Sequence, residues 1–126
     1  MICVLDASAL MAVLLEEPGA ELVLASDKGS EINIVNVGEV MTVVVERGGT
    51  PDIVSALIEQ MGLRVRAFRD YHAIEGAKIR PATKHLGLGI GDRTCLVQAK
   101  FSHMPVLTSD TKWAELDVGI DVRLIR

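Results

Sequence analysis

Five short apolar runs, ICVLD, INIVN, LRVRAF, MPVLTS and DVRLI, are spread along 126 residues and separated by segments whose apolar positions recur at helical spacing. That alternation constrains the fold more than any other feature. Strands separated by helices imply a mainly parallel sheet of about five strands, covered on both faces. A chain of this length buries roughly two thirds of its unfolded surface around one core, so residues 1–126 are expected to form a single domain.

The segments between the strands carry recognisable punctuation. ASALMAVLLEE reads as a helix stopped by Pro18 and Gly19, and a short helix follows from Ala20 to Ser26. Asn36 followed three residues later by Glu39 resembles a capping-box start, which predicts a helix over Val37 to Arg47 despite the β-branched VMTVVVE. One face of that helix, Val40 to Val45, suits either the core or an interface between copies. Thr50, Pro51 and Gly62 bracket the next helix, and two more are expected over Asp70 to Ile79 and Asp92 to Phe101. A last short turn of helix spans Lys112 to Leu116.

Composition narrows the function. Aromatic residues are only 3% of the chain, so stacked platforms for nucleobases are scarce. No stretch reaches the ~18 to 20 uninterrupted apolar residues of a membrane span. The apolar start MICVLDASALMAVLL has no Lys or Arg ahead of it and is interrupted by Asp6, so it reads as strand and helix rather than a signal peptide. Cys3 and Cys95 sit in apolar surroundings without ligand spacing, as expected of buried reduced thiols in the cytoplasm. The net charge, 13 − 17 = −4, argues against a broad grip on nucleic acid unless several acids form one site.

Four acids have that potential: Asp6 ends the first strand, Glu39 follows the second, Asp92 opens the helix after a glycine segment, and Asp110 ends the fourth strand. Singly, each is explained by helix capping or the helix dipole. Together they fall just past the carboxyl ends of parallel strands, where open α/β sheets place ligands. Carboxylates sharing such a crevice must either stay protonated or hold a cation. An all-oxygen set without His or Cys suits Mg²⁺, with Mn²⁺ as the alternative, and disfavours zinc. Setting those four charges aside takes the balance from −4 to 0, which readmits a phosphate-rich substrate. Ser8, Thr108 and Ser109 lie beside the acids, where hydroxyls can orient a carboxylate or instead cap a helix.

The order LDASAL, NVGEV, LGIGDRTCLVQAK and VLTSDTKW resembles the four acidic motifs of PIN-domain ribonucleases, in particular the VapC-type toxins of toxin-antitoxin pairs. The resemblance implies a PIN-like three-layer αβα sandwich, with Asp6, Glu39, Asp92 and Asp110 as metal-binding acids and Ser8 and Thr108 in support. Ser109 stands where many members have a small residue. The activity so implied is Mg²⁺-dependent hydrolysis of RNA phosphodiesters by a metal-activated water, restrained by a VapB-type antitoxin, in a protein that is usually a homodimer. Candidate contacts to RNA phosphates are Arg93, Lys112 and Lys84, the last within KIRPATKH, which also reads as a solvated helix end.

Two other readings use the same acids. A receiver-like Mg²⁺-dependent phosphoacceptor would take Asp70 as acceptor, but no lysine ends the last strand, VRLIR. An inactive PIN-type module binding RNA or antitoxin is disfavoured by the presence of all four acids. LGLGIGD lacks the GxGxxG spacing and the GK[ST] ending of phosphate loops, so its glycines read as a tight mount for Asp92.

Overall fold

The computed structural model describes all 126 residues. Five strands, β1 (Val4–Leu5), β2 (Glu31–Asn33), β3 (Arg64–Arg66), β4 (Val106–Thr108) and β5 (Val122–Leu124), form one sheet in the order β3-β2-β1-β4-β5. Every pairing is parallel. The helices are α1 (Ala7–Leu14), α2 (Ala20–Leu24), α3 (Ile34–Glu46), α4 (Pro51–Met61), α5 (Asp70–Lys78), α6 (Arg80–Thr83) and α7 (Ile90–Ser102), with 3-10 turns at Lys84–Leu86 and Thr111–Glu115.

Alternation along the strands builds a core on each face. Cys3 and Leu5 point to one side, with Leu107 from β4 and Ile32 from β2, against residues of α1, α3 and α4. Val4 and Val106 point to the other, against Leu86, Leu88, Trp113 and the Cys95, Leu96 and Ala99 face of α7. Both cysteines are buried free thiols, and Trp113, at 1% exposure, is a packing residue. Three layers follow because the central strands β1 and β4 show apolar residues to both sides.

Several boundaries differ from those read in the sequence. The second strand is Glu31–Asn33 rather than INIVN, and α3 begins at Ile34. Asn33, not Asn36, is the N-cap; its side chain accepts the Val35 amide at 3.0 Å. An asparagine that can cap outcompetes the β-branched residues after it, so the chain turns helical three residues earlier. Two further boundaries shift: α7 starts at Ile90, before Asp92, and α1 ends at Leu14, short of the Glu17 expected from ASALMAVLLEE. Residues 80–86 are helical turns despite Pro81, which occupies a first-turn position where its missing N–H costs nothing. In α3, Val40 and Val44 are core while Val45 is 51% exposed, so the apolar stretch divides between the interior and an open face.

A buried polar chain ties the second face together. His72 Nδ1 accepts the Arg69 amide at 2.9 Å, which leaves Nε2 as the donor to Gln98 Oε1 at 2.7 Å. Gln98 Nε2 in turn donates to Glu31 at 2.8 Å, and Arg66 pairs with the same carboxylate at 3.0 Å. These bonds fix α5 and α7 against β2, and they place His72 in a packing role.

Candidate active site

The sheet reverses its direction of growth at β1. The chain moves outward from β1 to β2 and β3, then returns to lay β4 on the opposite side of β1. The carboxyl ends of these two strands therefore lie at the switch point, the place where open α/β sheets put their ligands. Asp6 is the residue after β1 and Asp110 lies two residues after β4. Their positions follow from topology, before any side-chain detail.

Asp6 is buried, at 4% exposure, and its Oδ2 accepts from Ser8 Oγ at 2.7 Å and Thr108 Oγ1 at 2.9 Å. The two hydroxyls are also 3.2 Å apart. Ser8 Oγ accepts the Ser109 amide at 3.0 Å, and Thr108 Oγ1 accepts the Asp110 amide at 3.1 Å. Ser109 thus contributes its backbone N–H, while its hydroxyl makes no hydrogen bond. The loop after β4 is clamped to the start of α1, and Asp110 is left to cap the turn after it by accepting the Lys112 amide at 3.0 Å.

The other two acids enter from neighbouring helices. Glu39, in the second turn of α3, accepts from Asn36 Nδ2 at 2.9 Å. Asp92, in the first turn of α7, accepts the Gly89 amide at 3.0 Å, closing the helix start on itself. The sequence identified the glycine segment as a mount for Asp92, and two of its glycines have separate physical reasons. Gly87 is left-handed (φ 67°), and a Cβ on Gly91 would sit 2.6 Å from the Glu39 carboxyl carbon.

Asp6, Glu39 and Asp92 are each shifted, and each feels the charge of another acid in the set. Burial raises the Asp6 carboxyl above its ordinary range, the two hydroxyls pull it partly back, and the charge of Glu39 raises it further. Desolvation likewise raises Glu39, opposed by the Asn36 bond and reinforced by Asp92. Asp92 is raised by desolvation first, then by Asp6 and Asp110, with the Lys112 cation acting against them. Cys95, one turn further along α7, is fully buried, which pushes its thiol well up, with the charges of Asp6, Asp92 and Glu39 adding to the shift.

No three of these acids close around a single point as a finished cage. The donor set nevertheless fits a hard divalent cation. Mg²⁺ keeps several of its waters and takes only one or two carboxylates directly, so loosely gathered oxygens with unrelieved repulsion suit it. Asp6, Glu39, Asp92 and Asp110 are the residues that would hold it.

The basic candidates separate. Lys112 is exposed, and its charge reaches Asp92. Lys84 is exposed in the 3-10 turn that precedes the glycines. Arg93 instead commits Nη1 to the Gly76 carbonyl of α5 at 3.0 Å, which anchors α5 to α7 and leaves less of it for a ligand. Asp70 starts α5 beyond the edge strand β3, two strands away from β1, so the topology separates it from Asp6.

The PIN-domain family model matches residues 3–119, nearly the whole chain and all four acids. The chain belongs to the PIN-domain family. No curated protein sequence matches this PIN domain. Among solved structures, it is similar to a chain of a toxin-antitoxin complex from Klebsiella pneumoniae, with a TM-score of 0.77, 18% identity and 98% of each chain covered. VapBC2 from Rickettsia felis, bound to a DNA fragment from its promoter, gives 0.71 at 14% identity over 98% of each chain. VapBC-5 from Mycobacterium tuberculosis gives 0.63 at 27% identity, covering 99% of this chain and 98% of that one. The expected PIN-like three-layer architecture is therefore the observed one, and its sheet is wholly parallel.

The hydroxyl clamp on Asp6 yields a prediction of its own. Ser8→Ala combined with Thr108→Val strips both donors from a buried carboxylate. A loss of roughly 10- to 100-fold in metal affinity or turnover is expected, as for partners that orient a ligand. Titration with Mn²⁺ and rate measurement on the double variant check it, and unchanged values would remove the clamp from the site.

Proposed function

We propose that this PIN domain is the toxin of a toxin-antitoxin pair, a Mg²⁺-dependent endoribonuclease whose site is Asp6, Glu39, Asp92 and Asp110. The reading is supported by Asp6 and Asp110 following the strands at the switch point of a parallel sheet, with Asp6, Glu39 and Asp92 raised by burial and by the charges of other acids in the set. Such repulsion stabilises nothing in the free protein, and a bound cation turns it into affinity. The similarity to toxin-antitoxin complexes supports the biological role.

When bound, a divalent cation supplies charge neutralisation at a phosphodiester and lowers the pKa of water in its shell. The chain's own residues do the rest by position. Asp6 is held in one orientation by Ser8 and Thr108, Asp92 by the Gly89 amide, and Glu39 by Asn36. Asp110 is fixed through the Lys112 amide, and the exposed Lys112 and Lys84 are the cations available to the phosphate backbone. The partners of this reading are an RNA substrate, an antitoxin of VapB type with a basic amphipathic tail, and a second copy of the chain in a cytoplasmic homodimer. No helix is long and apolar enough to cross a membrane.

The test is incubation of the purified protein with total cellular RNA and Mg²⁺. Discrete cleavage products that disappear on adding a chelator and return with Mg²⁺ or Mn²⁺ are expected. Intact RNA under every metal condition, with the protein folded, would leave a binding module without catalysis.

A further inference from the structure

Asn36 is wholly buried, yet it is not the helix cap that its spacing to Glu39 suggests. Its amide nitrogen spends both protons, one within α3 on Glu39 Oε1 at 2.9 Å and the other on the Gly91 carbonyl of α7 at 3.0 Å. Turning the amide over would set its oxygen against two acceptors, so the orientation is fixed by chemistry. The consequence is a buried Oδ1 with no hydrogen-bond partner, a cost that packing alone does not require. On the opposite side, the Glu39 carboxylate lies in the space that any side chain at residue 91 would fill.

We propose that Asn36 and Gly91 are a paired positioning device for Glu39, resting on the metal-dependent reading above. Asn36 supplies the bond that draws the carboxylate toward α7, and Gly91 supplies the vacancy that receives it. Neither touches substrate; both act through the place where Glu39 is held. The pair also links α3 to α7, so Glu39 and Asp92, which come from different helices, are set relative to one another by one amide. The backbone of Gly91 carries no positive φ, so its lack of a side chain serves space and not backbone conformation.

The experiment compares wild type, Asn36→Leu and Gly91→Ala, each alone and in a Glu39→Ala background. Leucine keeps the volume of Asn36 without its donor, and alanine suits a helix better than glycine, so the melts separate any loss of fold from a loss at the site. Mn²⁺ affinity by calorimetry, thermal melting, and kcat and KM for RNA cleavage are measured. Each single variant is expected to weaken Mn²⁺ binding or lower kcat by about 10- to 100-fold, with KM for RNA nearly unchanged and Gly91→Ala melting no lower than wild type. In the Glu39→Ala background the same substitutions should leave Mn²⁺ affinity unmoved, since the group they act through is gone. Equal losses with and without Glu39, or wild-type behaviour of both variants, would overturn the proposal. If wild type cleaves no RNA, the nuclease reading fails by itself, and the Mn²⁺ measurements still decide whether Asn36 and Gly91 work through Glu39.

Discussion

Replacing Asp92 by Asn is expected to lower Mg²⁺-supported RNA cleavage by at least about 100-fold, because loss of a ligand should exceed the loss from a group that merely orients one. Asn keeps the shape of Asp92, and its oxygen can still accept the Gly89 amide that closes the start of α7. The fold therefore survives while the charge is lost. Asp6→Asn should behave alike, since the Ser8 and Thr108 hydroxyls can still donate to an amide oxygen. The measurement is a cleavage time course on total RNA with matched circular-dichroism melts. Variants that cut at wild-type rates would remove these two acids from the chemistry, whatever their position.

The second large effect is on stability and its dependence on pH. Asp6, Glu39 and Asp92 all have carboxyls raised above their ordinary values, chiefly by desolvation. Between the ordinary and the raised values the folded protein binds more protons than the unfolded chain, so stability falls as pH rises through that window. Their stabilising contribution is complete below the ordinary carboxylate range and lost above the raised one. A divalent cation held by these acids, as proposed, would reverse this, since it would bind the charged forms. At a hundredfold excess over its dissociation constant it adds about 2.7 kcal/mol, or roughly 10 °C in Tm for a chain of this size.

That increment should be full near neutrality and should vanish as the pH falls toward about 4 and the carboxyls protonate. Asp6→Asn sharpens the expectation in both directions. Without metal at neutral pH the variant should melt no lower than wild type, since a buried charge has been removed. With metal it should gain much less. Calorimetric scans from acid to neutral pH, with and without Mg²⁺, check both arms; a metal increment independent of pH would contradict the assignment of these acids as ligands.

How far these acids could be read in advance depends on how local their causes are. Asp6 and Asp110 follow strands marked by apolar runs, and their neighbouring hydroxyls are adjacent in sequence or nearly so. Their grouping was legible because a parallel sheet brings strand ends to one side. The start of α3 differs from the sequence reading, in which Asn36 caps the helix and Asn33 belongs to the strand. Only packing distinguishes them: Asn33 caps the helix, while Asn36 is buried against α7, 55 residues away in the chain. The bond from Arg93 to the Gly76 carbonyl of α5 was not legible, because that carbonyl lies 17 residues upstream.

By itself, then, the sequence determined the alternating layers, the four acids and their order, since periodicity and strand-end position are properties of neighbouring residues. The tertiary structure alone decided which asparagine caps and which positions, why residue 91 has no side chain, and which strands flank the switch point. Those depend on contacts between segments far apart in the chain, and contacts of that kind exist only once the sheet has folded back at β1.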